Sequence, residues 1–272
     1  MDRSRGLNAT LHGGMDGRNS GPEPVGLALQ PVVDLRGPSF RLAGFACVLP
    51  IASPSGFMPA ARVVRALARA IEAAEGLDLF VTFAGLAGTA AATILPSVLN
   101  GAEAEGVPIG RLIVDLGGPF PEPLAGDDIL ETIESTRGRG VRVSISRAGL
   151  SESGLEMLLG TRPDFLRVAA SLVSGCGDDF YRQAIVETIA GLAWKFGAGV
   201  IAEGLLDARD AHWLATAGVA LATGRYFGEP VALESVRSIF GGRPLPFDPG
   251  PFPSGAPSAA VAVRDGASEE KP

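Results

Sequence analysis

Short apolar segments alternate with segments of helical spacing along most of this chain, and this alternation constrains the fold more than any other feature. The predicted strands after residue 105 are residues 111–116, 142–146, 165–168, 200–202 and 220–223. The predicted helices between them are residues 127–137, 153–159, 180–196 and 208–217. Strand–helix units with short connections are typical of a parallel sheet covered by helices.

The first part of the chain departs from strict alternation. Residues 25–35 and 40–49 alternate well enough to be strands and are joined by the turn sequence RGP, which predicts an antiparallel hairpin. A helix at 59–75, a strand at 79–83 and a helix at 89–105 follow. The number of strands suffices for a closed α/β barrel, so we predict a TIM-barrel-like (β/α)8 fold with an initial antiparallel hairpin.

Composition divides the chain into three parts. Residues 1–22 are polar and glycine-rich and are predicted to form a flexible leader, and residues 23–241 carry the barrel pattern. Residues 242–272 are rich in Pro, Gly, Ser and Ala, which predicts a flexible tail.

Charge and cysteine content exclude several classes of protein. The net charge is −7 without any basic run, so nucleic acid is not an expected partner. Two cysteines far apart in sequence indicate neither a disulfide framework nor a zinc site, which suits a reducing cytosol. No segment has the pattern of a signal peptide or a membrane span, and we therefore expect a cytoplasmic protein without membrane association.

The segment GVIAEG at residues 199–204 is the best candidate for a functional strand end. Its apolar residues suit a strand buried on both faces, and Gly204 permits a sharp turn. Glu203 is then expected at the C-terminal rim of the barrel, where barrel enzymes assemble their active sites. Trp194 and Trp213, on the neighbouring predicted helices, are interpreted as packing residues.

Five segments, in order, resemble those of EAL domains, the bacterial cyclic-di-GMP phosphodiesterases. They are LQPVVDL with GF (29–35 and 44–45), GVP with RLIVD (106–108 and 111–115), RPDFLRV (162–168), VIAEG (200–204) and G with FGEP (224 and 227–230). The resemblance spans about residues 25–240 and implies the EAL fold. It also implies two divalent cations, held by carboxylates and an asparagine, that activate water for attack on a phosphodiester.

The metal-binding positions that the resemblance implies are mostly altered. The glutamate of the EAL triplet falls on Ala46, the asparagine on Thr82, and the paired aspartates on Ser146 and Arg147, while Asp115 retains a carboxylate. A fixed charge at Arg147, about 5 Å from a divalent ion, would cost about 7 kcal/mol at an effective dielectric constant near 20. We therefore expect that the Mg²⁺ or Mn²⁺ site is lost, that no cofactor is bound and that no residue is catalytic.

The remaining active-site positions that the resemblance implies are partly retained and partly altered. Glu203 is retained, the family's active-site lysine falls on Arg167, and the phosphate-binding arginine after the EAL triplet falls on Pro50. The candidate remnants of a ligand site are Gln30, Asp115, Arg147, Arg167 and Glu203. Each also has a structural interpretation: Glu203 could pair with Arg167, and Asp115 could anchor the following loop through backbone hydrogen bonds.

Two functions remain open at this stage. The favoured hypothesis is a catalytically inactive EAL-like domain that regulates or binds another protein in bacterial signalling, with an unidentified protein partner. The alternative is a receptor that binds cyclic-di-GMP without cleaving it, which needs fewer groups than catalysis. An active metal-dependent phosphodiesterase is the least favoured, and the resemblance makes a homodimer the default assembly.

Overall fold

The computed structural model describes residues 27–37, 39–50, 52–53, 56–84, 89–116, 127–146 and 158–240. The strands are β1 (Ala28–Asp34), β2 (Arg41–Pro50), β3 (Ala52–Ser53), β4 (Gly56–Phe57), β5 (Asp78–Ala84), β6 (Leu112–Asp115), β7 (Arg142–Ser146), β8 (Phe165–Val168), β9 (Gly199–Ala202), β10 (Leu221–Thr223) and β11 (Val231–Ala232). The helices are α1 (Ala60–Ala73), α2 (Thr89–Ala104), α3 (Asp127–Gly138), α4 (Ala170–Val173), α5 (Phe180–Phe196), α6 (Ala208–Thr216) and α7 (Leu233–Phe240), and residues 158–161 are also helical.

Eight of these strands close into a barrel. Their order is β1, β2, β5, β6, β7, β8, β9 and β10, and β10 pairs back onto β1. The six pairings from β2 round to β10 are parallel, whereas β1 runs antiparallel to both of its barrel neighbours. The structure thus confirms the predicted TIM-barrel-like fold with an initial antiparallel hairpin.

Local sequence explains where the longest described helix, α5, begins and ends. The side chain of Asp179 accepts hydrogen bonds from the backbone N–H groups of Tyr181 and Arg182, which caps the first turn. At the other end Gly197 adopts a left-handed conformation with φ of 70°, the usual way for a helix to stop. The chain can then enter β9 directly, because that strand begins at Gly199.

The core has an inner and an outer part. Inside the barrel, an apolar cluster is formed by Val32, Phe80, Ile113, Ile201, Ala220 and Leu221. Outside it, two larger clusters lie between the barrel wall and the helices, one around α1 and α2 and the other around α5 and α6. The barrel interior is therefore a packed core with only its mouth open to chemistry.

Several expectations need correction. The β3–β4 hairpin, α4, β11 and α7 are present in the structure but were not predicted from the sequence. Trp194, interpreted as a packing residue, is 63% exposed, so that interpretation is wrong, whereas Trp213 packs against the core cluster as expected.

The predicted leader at 1–22 and tail at 242–272 lie outside the described residues. Across the described ranges, no helix combines the length and the apolar composition that crossing a bilayer requires.

Candidate functional site

The inward-facing side chains at the barrel mouth form two layers, because side chains two residues apart in a strand point to the same face. The lower layer is apolar and includes Phe80, Ile113, Phe165, Ile201 and Leu221. Two residues further along the same strands come Thr82, Asp115, Arg167, Glu203 and Thr223. The strands therefore place a polar layer at their C-terminal ends, directly above the apolar layer.

Asp115 is the buried centre of the polar layer, with only 3% of its surface exposed. Its Oδ2 accepts hydrogen bonds from Thr82 Oγ1 at 3.3 Å and from Ser146 Oγ at 2.5 Å. Its Oδ1 accepts from Ser144 Oγ at 3.3 Å. Three hydroxyl groups from the two strands that flank β6 thus solvate the carboxylate in place of water.

Arg167 supplies the positive charge of this layer. Its guanidinium Nη2 lies 2.6 Å from Glu203 Oε1, and its Nη1 lies 3.6 Å from Asp115 Oδ2. Nη1 also donates to Thr82 Oγ1 at 3.4 Å. The predicted pairing of Glu203 with Arg167 is confirmed, and the same guanidinium lies within ion-pair distance of Asp115 as well.

The position of Glu203 follows from the end of β9. Its backbone N–H donates to the carbonyl oxygen of Val168 at 3.0 Å, which extends the β8–β9 ladder by one residue. Gly204 then turns the chain with φ of 70°, and an added Cβ there would lie 2.4 Å from the Cβ of Ala170. The Glu203 side chain is 30% exposed, so it forms the solvent side of the Arg167 ion pair.

Gln30, the remaining candidate that the structure describes, does not join this group. Gln30 lies opposite Ala46 in the β1–β2 ladder, and its Nε2 donates to the carbonyl oxygen of Gly228 at 3.3 Å. This contact agrees with a scaffold role. Arg147 lies outside the described residues, as does the loop that Asp115 was predicted to anchor, and those two interpretations stay predictions.

Sequence reasoning missed the hydroxyl groups around Asp115. Ser146 was treated only as a lost ligand, and Ser144 was not considered. The sequence RVSIS of β7 contained the indication, because its two serines, two residues apart, lie on the face of the strand that points into the barrel. Two further buried polar atoms, Arg167 Nε and Thr223 Oγ1, have no hydrogen-bond partner within the part of the chain that the structure describes.

The described side chains do not fit a divalent cation at this position. Mg²⁺ takes oxygen ligands at about 2.0–2.1 Å and Ca²⁺ at about 2.3–2.6 Å. Here a guanidinium lies against Glu203 and near Asp115, and the hydroxyl of Ser146 donates a hydrogen bond to Asp115. No group of three His, Cys, Asp or Glu side chains with the spacing of a metal site occurs among the described residues.

Comparison with known proteins gives related sequences and related folds. The chain is 27% identical over 113 residues to the blue light- and temperature-regulated antirepressor BluF of Escherichia coli K12, covering 42% of this chain and 28% of BluF. It is 25% identical over 109 residues to the probable cyclic di-GMP phosphodiesterase PdeD of the same strain, covering 40% of this chain and 20% of PdeD. The chain thus spans less than a third of either curated relative.

A solved structure with the same fold is that of a standalone EAL protein from Vibrio cholerae O395 in its cyclic-di-GMP-bound form. The TM-score is 0.59 at 20% identity, and the superposition covers 76% of this chain and 92% of the Vibrio chain. The EAL domain family profile matches residues 92–230, just over half of the 272 residues. From this match and the closed barrel, we conclude that the chain belongs to the EAL domain family.

Proposed function

We propose that this EAL domain is catalytically inactive and serves as a regulatory or protein-interaction module in cyclic-di-GMP signalling. The observation that carries the proposal is the guanidinium of Arg167, held between Asp115 and Glu203. These are the two carboxylates that remain of the ligand set implied for catalytic EAL domains. A single fixed positive charge thus already pairs with both carboxylates, which supports the loss of catalysis.

The described contacts leave neither carboxylate available to a metal ion. Arg167 carries the same charge as the family's active-site lysine, but here its guanidinium contacts both Asp115 and Glu203 and keeps its proton. A metal ion would have to displace these contacts. The methyl group of Ala46 offers no ligand, and Ser146 is a neutral donor to Asp115. We therefore propose that no Mg²⁺ or Mn²⁺ is held here and that no residue acts in catalysis.

The relatives lend support of a limited kind. BluF carries the name of an antirepressor, which describes regulation of another protein. The matched residues cover 28% of BluF, so we carry over only the general role of regulating another protein. A protein partner is accordingly part of the proposal, in the cytoplasm and without nucleic acid.

A non-hydrolysing cyclic-di-GMP receptor is the second candidate. The Vibrio cholerae relative has the dinucleotide bound, which favours this alternative. In this chain, however, both terminal nitrogens of Arg167 already face carboxylates, and Gln30 donates to the backbone of Gly228. A phosphate would have to displace Glu203 from Arg167, and we therefore rank the receptor second.

Two measurements on the purified full chain test this proposal. Incubation of cyclic-di-GMP with the protein and Mg²⁺ or Mn²⁺ should leave the dinucleotide uncut. Turnover that Glu203→Ala abolishes would instead make the domain an enzyme.

Calorimetric titration with cyclic-di-GMP separates the two remaining candidates. We expect no binding at about micromolar concentrations, and a dissociation constant of about 1 μM or lower would favour the receptor. An Arg167→Met variant, shown by circular dichroism to be folded at the titration temperature, is the control, because phosphate binding through this guanidinium should be lost in it.

A further inference from the structure

An apolar groove lies at the end of the barrel opposite to its mouth. It has a volume of about 230 Å³ and lies between the second half of α5 and the chain segments that lead into β9 and β10. Its lining is mostly glycine and alanine, and along α5 it extends from Glu187 to Trp194. Typical ligand pockets measure about 300–1,000 Å³, so this groove suits a few small side chains better than a cofactor.

The groove is bordered by an exposed ring and a carboxylate without an ion pair. The indole of Trp194 is 63% exposed. Glu187 is also exposed and forms no ion pair within the described ranges. At Gly191 and Gly218 an added Cβ would meet nothing within 4 Å, so a peptide can lie close to the backbone there. Exposed apolar surface with a polar border is typical of a binding surface.

The tail of the chain starts near the same end of the barrel. Helix α7, the last described element, follows β11 and runs beside α1. Near the end of α7, Arg237 forms an ion pair with Glu75. Glu75 lies between the end of α1 and the start of β5, and therefore at the N-terminal end of the parallel strands. Residues 241–272 thus leave the domain toward the end that carries the groove.

The other long segments outside the described ranges start at the mouth. Residues 117–126 and 147–157 follow the C-terminal ends of β6 and β7. Residues 1–26 lead into β1, which begins at the mouth because it runs antiparallel to its barrel neighbours. These first residues also contain no two adjacent apolar side chains. The position of the groove therefore favours the tail as its occupant.

One segment of the tail matches the groove in size and in charge. Residues 259–263 read AAVAV, the longest apolar run after residue 240, and Arg264 follows directly. The small side chains of this run suit a groove of glycine and alanine, and Arg264 has the sign opposite to that of Glu187. Residues 241–258 can span up to about 60 Å, whereas neighbouring barrel strands are only about 4.8 Å apart, so the segment reaches the groove.

We propose that residues 259–263 bind this groove in their own chain, antiparallel to α5, and that Arg264 pairs with Glu187. The segment enters beside Trp194 and covers its indole. Five extended residues span about 16 Å, and the helix rises about 11 Å from Trp194 back to Glu187, so the two charges can meet. The prediction of a flexible tail then holds only for the residues on either side of the segment. The proposal is independent of whether the barrel mouth binds cyclic-di-GMP.

Nuclear magnetic resonance relaxation of the full chain tests whether the segment is bound. The backbone order parameters of residues 259–263 should be about 0.8 or higher in the wild type and below about 0.6 in Val261→Asp/Val263→Asp. Acrylamide should quench the fluorescence of Trp194 more strongly in this double variant, because the indole loses its cover. Both substitutions lie outside the barrel, so the fold itself should not change.

Charge exchange tests the pairing of Arg264 with Glu187. Arg264→Glu alone, or Glu187→Arg alone, should lower the ratio of bound to free segment about threefold or more, because like charges would then meet. The double variant Glu187→Arg/Arg264→Glu should restore the order parameters of the segment and the wild-type quenching of Trp194.

Leu245→Asp/Phe247→Asp is the matched control, because it places two acids at apolar positions of the tail outside the segment. It should change neither the order parameters nor the quenching. Wild-type order parameters below about 0.6, an equal loss of order in the control, or a charge exchange that fails to restore order would each overturn the proposal. Binding within one chain does not depend on protein concentration, so quenching that decreases between about 1 and 50 μM would assign the groove to another copy and also overturn it.

Discussion

The guanidinium of Arg167 lies where water hardly reaches, since its side chain is 6% exposed and that of Asp115 only 2%. Removing both charges from water costs several kcal/mol per ion, and the attraction between them offsets this only with further hydrogen bonds. Thr82, Ser144 and Ser146 provide those bonds to Asp115. The charges at the barrel mouth therefore depend on one another, and removing one leaves the other uncompensated.

Replacing Arg167 with methionine should lower the free energy of unfolding by about 3–5 kcal/mol, because Asp115 would remain buried without its counter-charge. Urea unfolding followed by circular dichroism measures this change. Arg69→Met is the matched control, since the Arg69–Glu234 pair at 2.7 Å is solvent-exposed on both sides. The control should lose no more than about 1 kcal/mol. Equal losses in the two variants would contradict the proposed role of burial.

The sequence identified the charged residues of the site but not the complete arrangement. Glu203 was found from its place at a strand end, Asp115 and Arg167 from the resemblance to EAL domains, and the pairing of Arg167 with Glu203 was foreseen. The hydroxyls of Ser144 and Ser146 were missed because their relation to Asp115 depends on the alignment of β6 with β7. The alternation within β7 shows that the two serines share a face, but it does not show which side chain of the neighbouring strand they meet, because that pairing joins segments distant in sequence.

At the level of the elements, Gly224 is where β10 meets the segment after β9. Its backbone lies so close to Leu205 that an added Cβ would be 2.2 Å from both the backbone nitrogen and the carbonyl oxygen of that residue. Leu205 N–H donates to the carbonyl oxygen of Thr223 at 3.1 Å, and Tyr226 N–H donates to the carbonyl oxygen of Leu205 at 3.1 Å. The close approach is therefore fixed by hydrogen bonds on both sides.

Gly224→Ala should destabilise the protein by about 2 kcal/mol or more, because the contacting atoms are backbone and cannot rotate away. Thermal unfolding is a suitable measurement. Gly138→Ala serves as the control, since an added Cβ there meets nothing within 4 Å and alanine favours the helical conformation. An unfolding temperature for Gly224→Ala equal to that of the wild type would show that the backbone moves freely here.

Elements with clear local boundaries were predicted closely, and elements held by distant partners were not. The helix α5 begins after its cap at Asp179 and ends before Gly197, so both ends could be read from sequence. The strand β11 has two residues and exists because Val231 pairs with Leu29, far away in the chain. The exposure of Trp194 also escaped prediction. Apolar residues surround most of α5, and a pattern without a polar face gives no orientation.

At the scale of the whole molecule, the two cysteine thiols are buried and do not form a disulfide. Cys47 and Cys176 are both free and buried. Burial raises the pKa of the Cys47 thiol from 9.0 to about 12. Burial also raises the pKa of Cys176 to about 12, with Asp210 acting in the same direction. The folded protein therefore keeps protons that the unfolded chain releases at alkaline pH.

Stability should consequently fall as the pH rises above 9, the value for an unperturbed thiol, toward about 12. A raised pKa in the folded state gives stability that is complete below the unfolded pKa and is lost above it, by about 1.4 kcal/mol per pH unit for each thiol. Urea unfolding at about pH 8, 9 and 10 measures the slope. Cys47→Ala should show a shallower decline than the wild type, and an identical decline would contradict this assignment.

The barrel cannot close until its last strand is available to pair with its first strand. Because Val32 pairs with Thr223, and Leu29 with Val231, the sheet stays open until nearly the whole domain has left the ribosome. Until then a nascent chain exposes two unsatisfied sheet edges, which are sites of aggregation. We expect that a stop codon placed before β10 yields fragments that depend on chaperones. A circular permutant that starts within a surface loop and has the original termini joined should still yield a folded barrel.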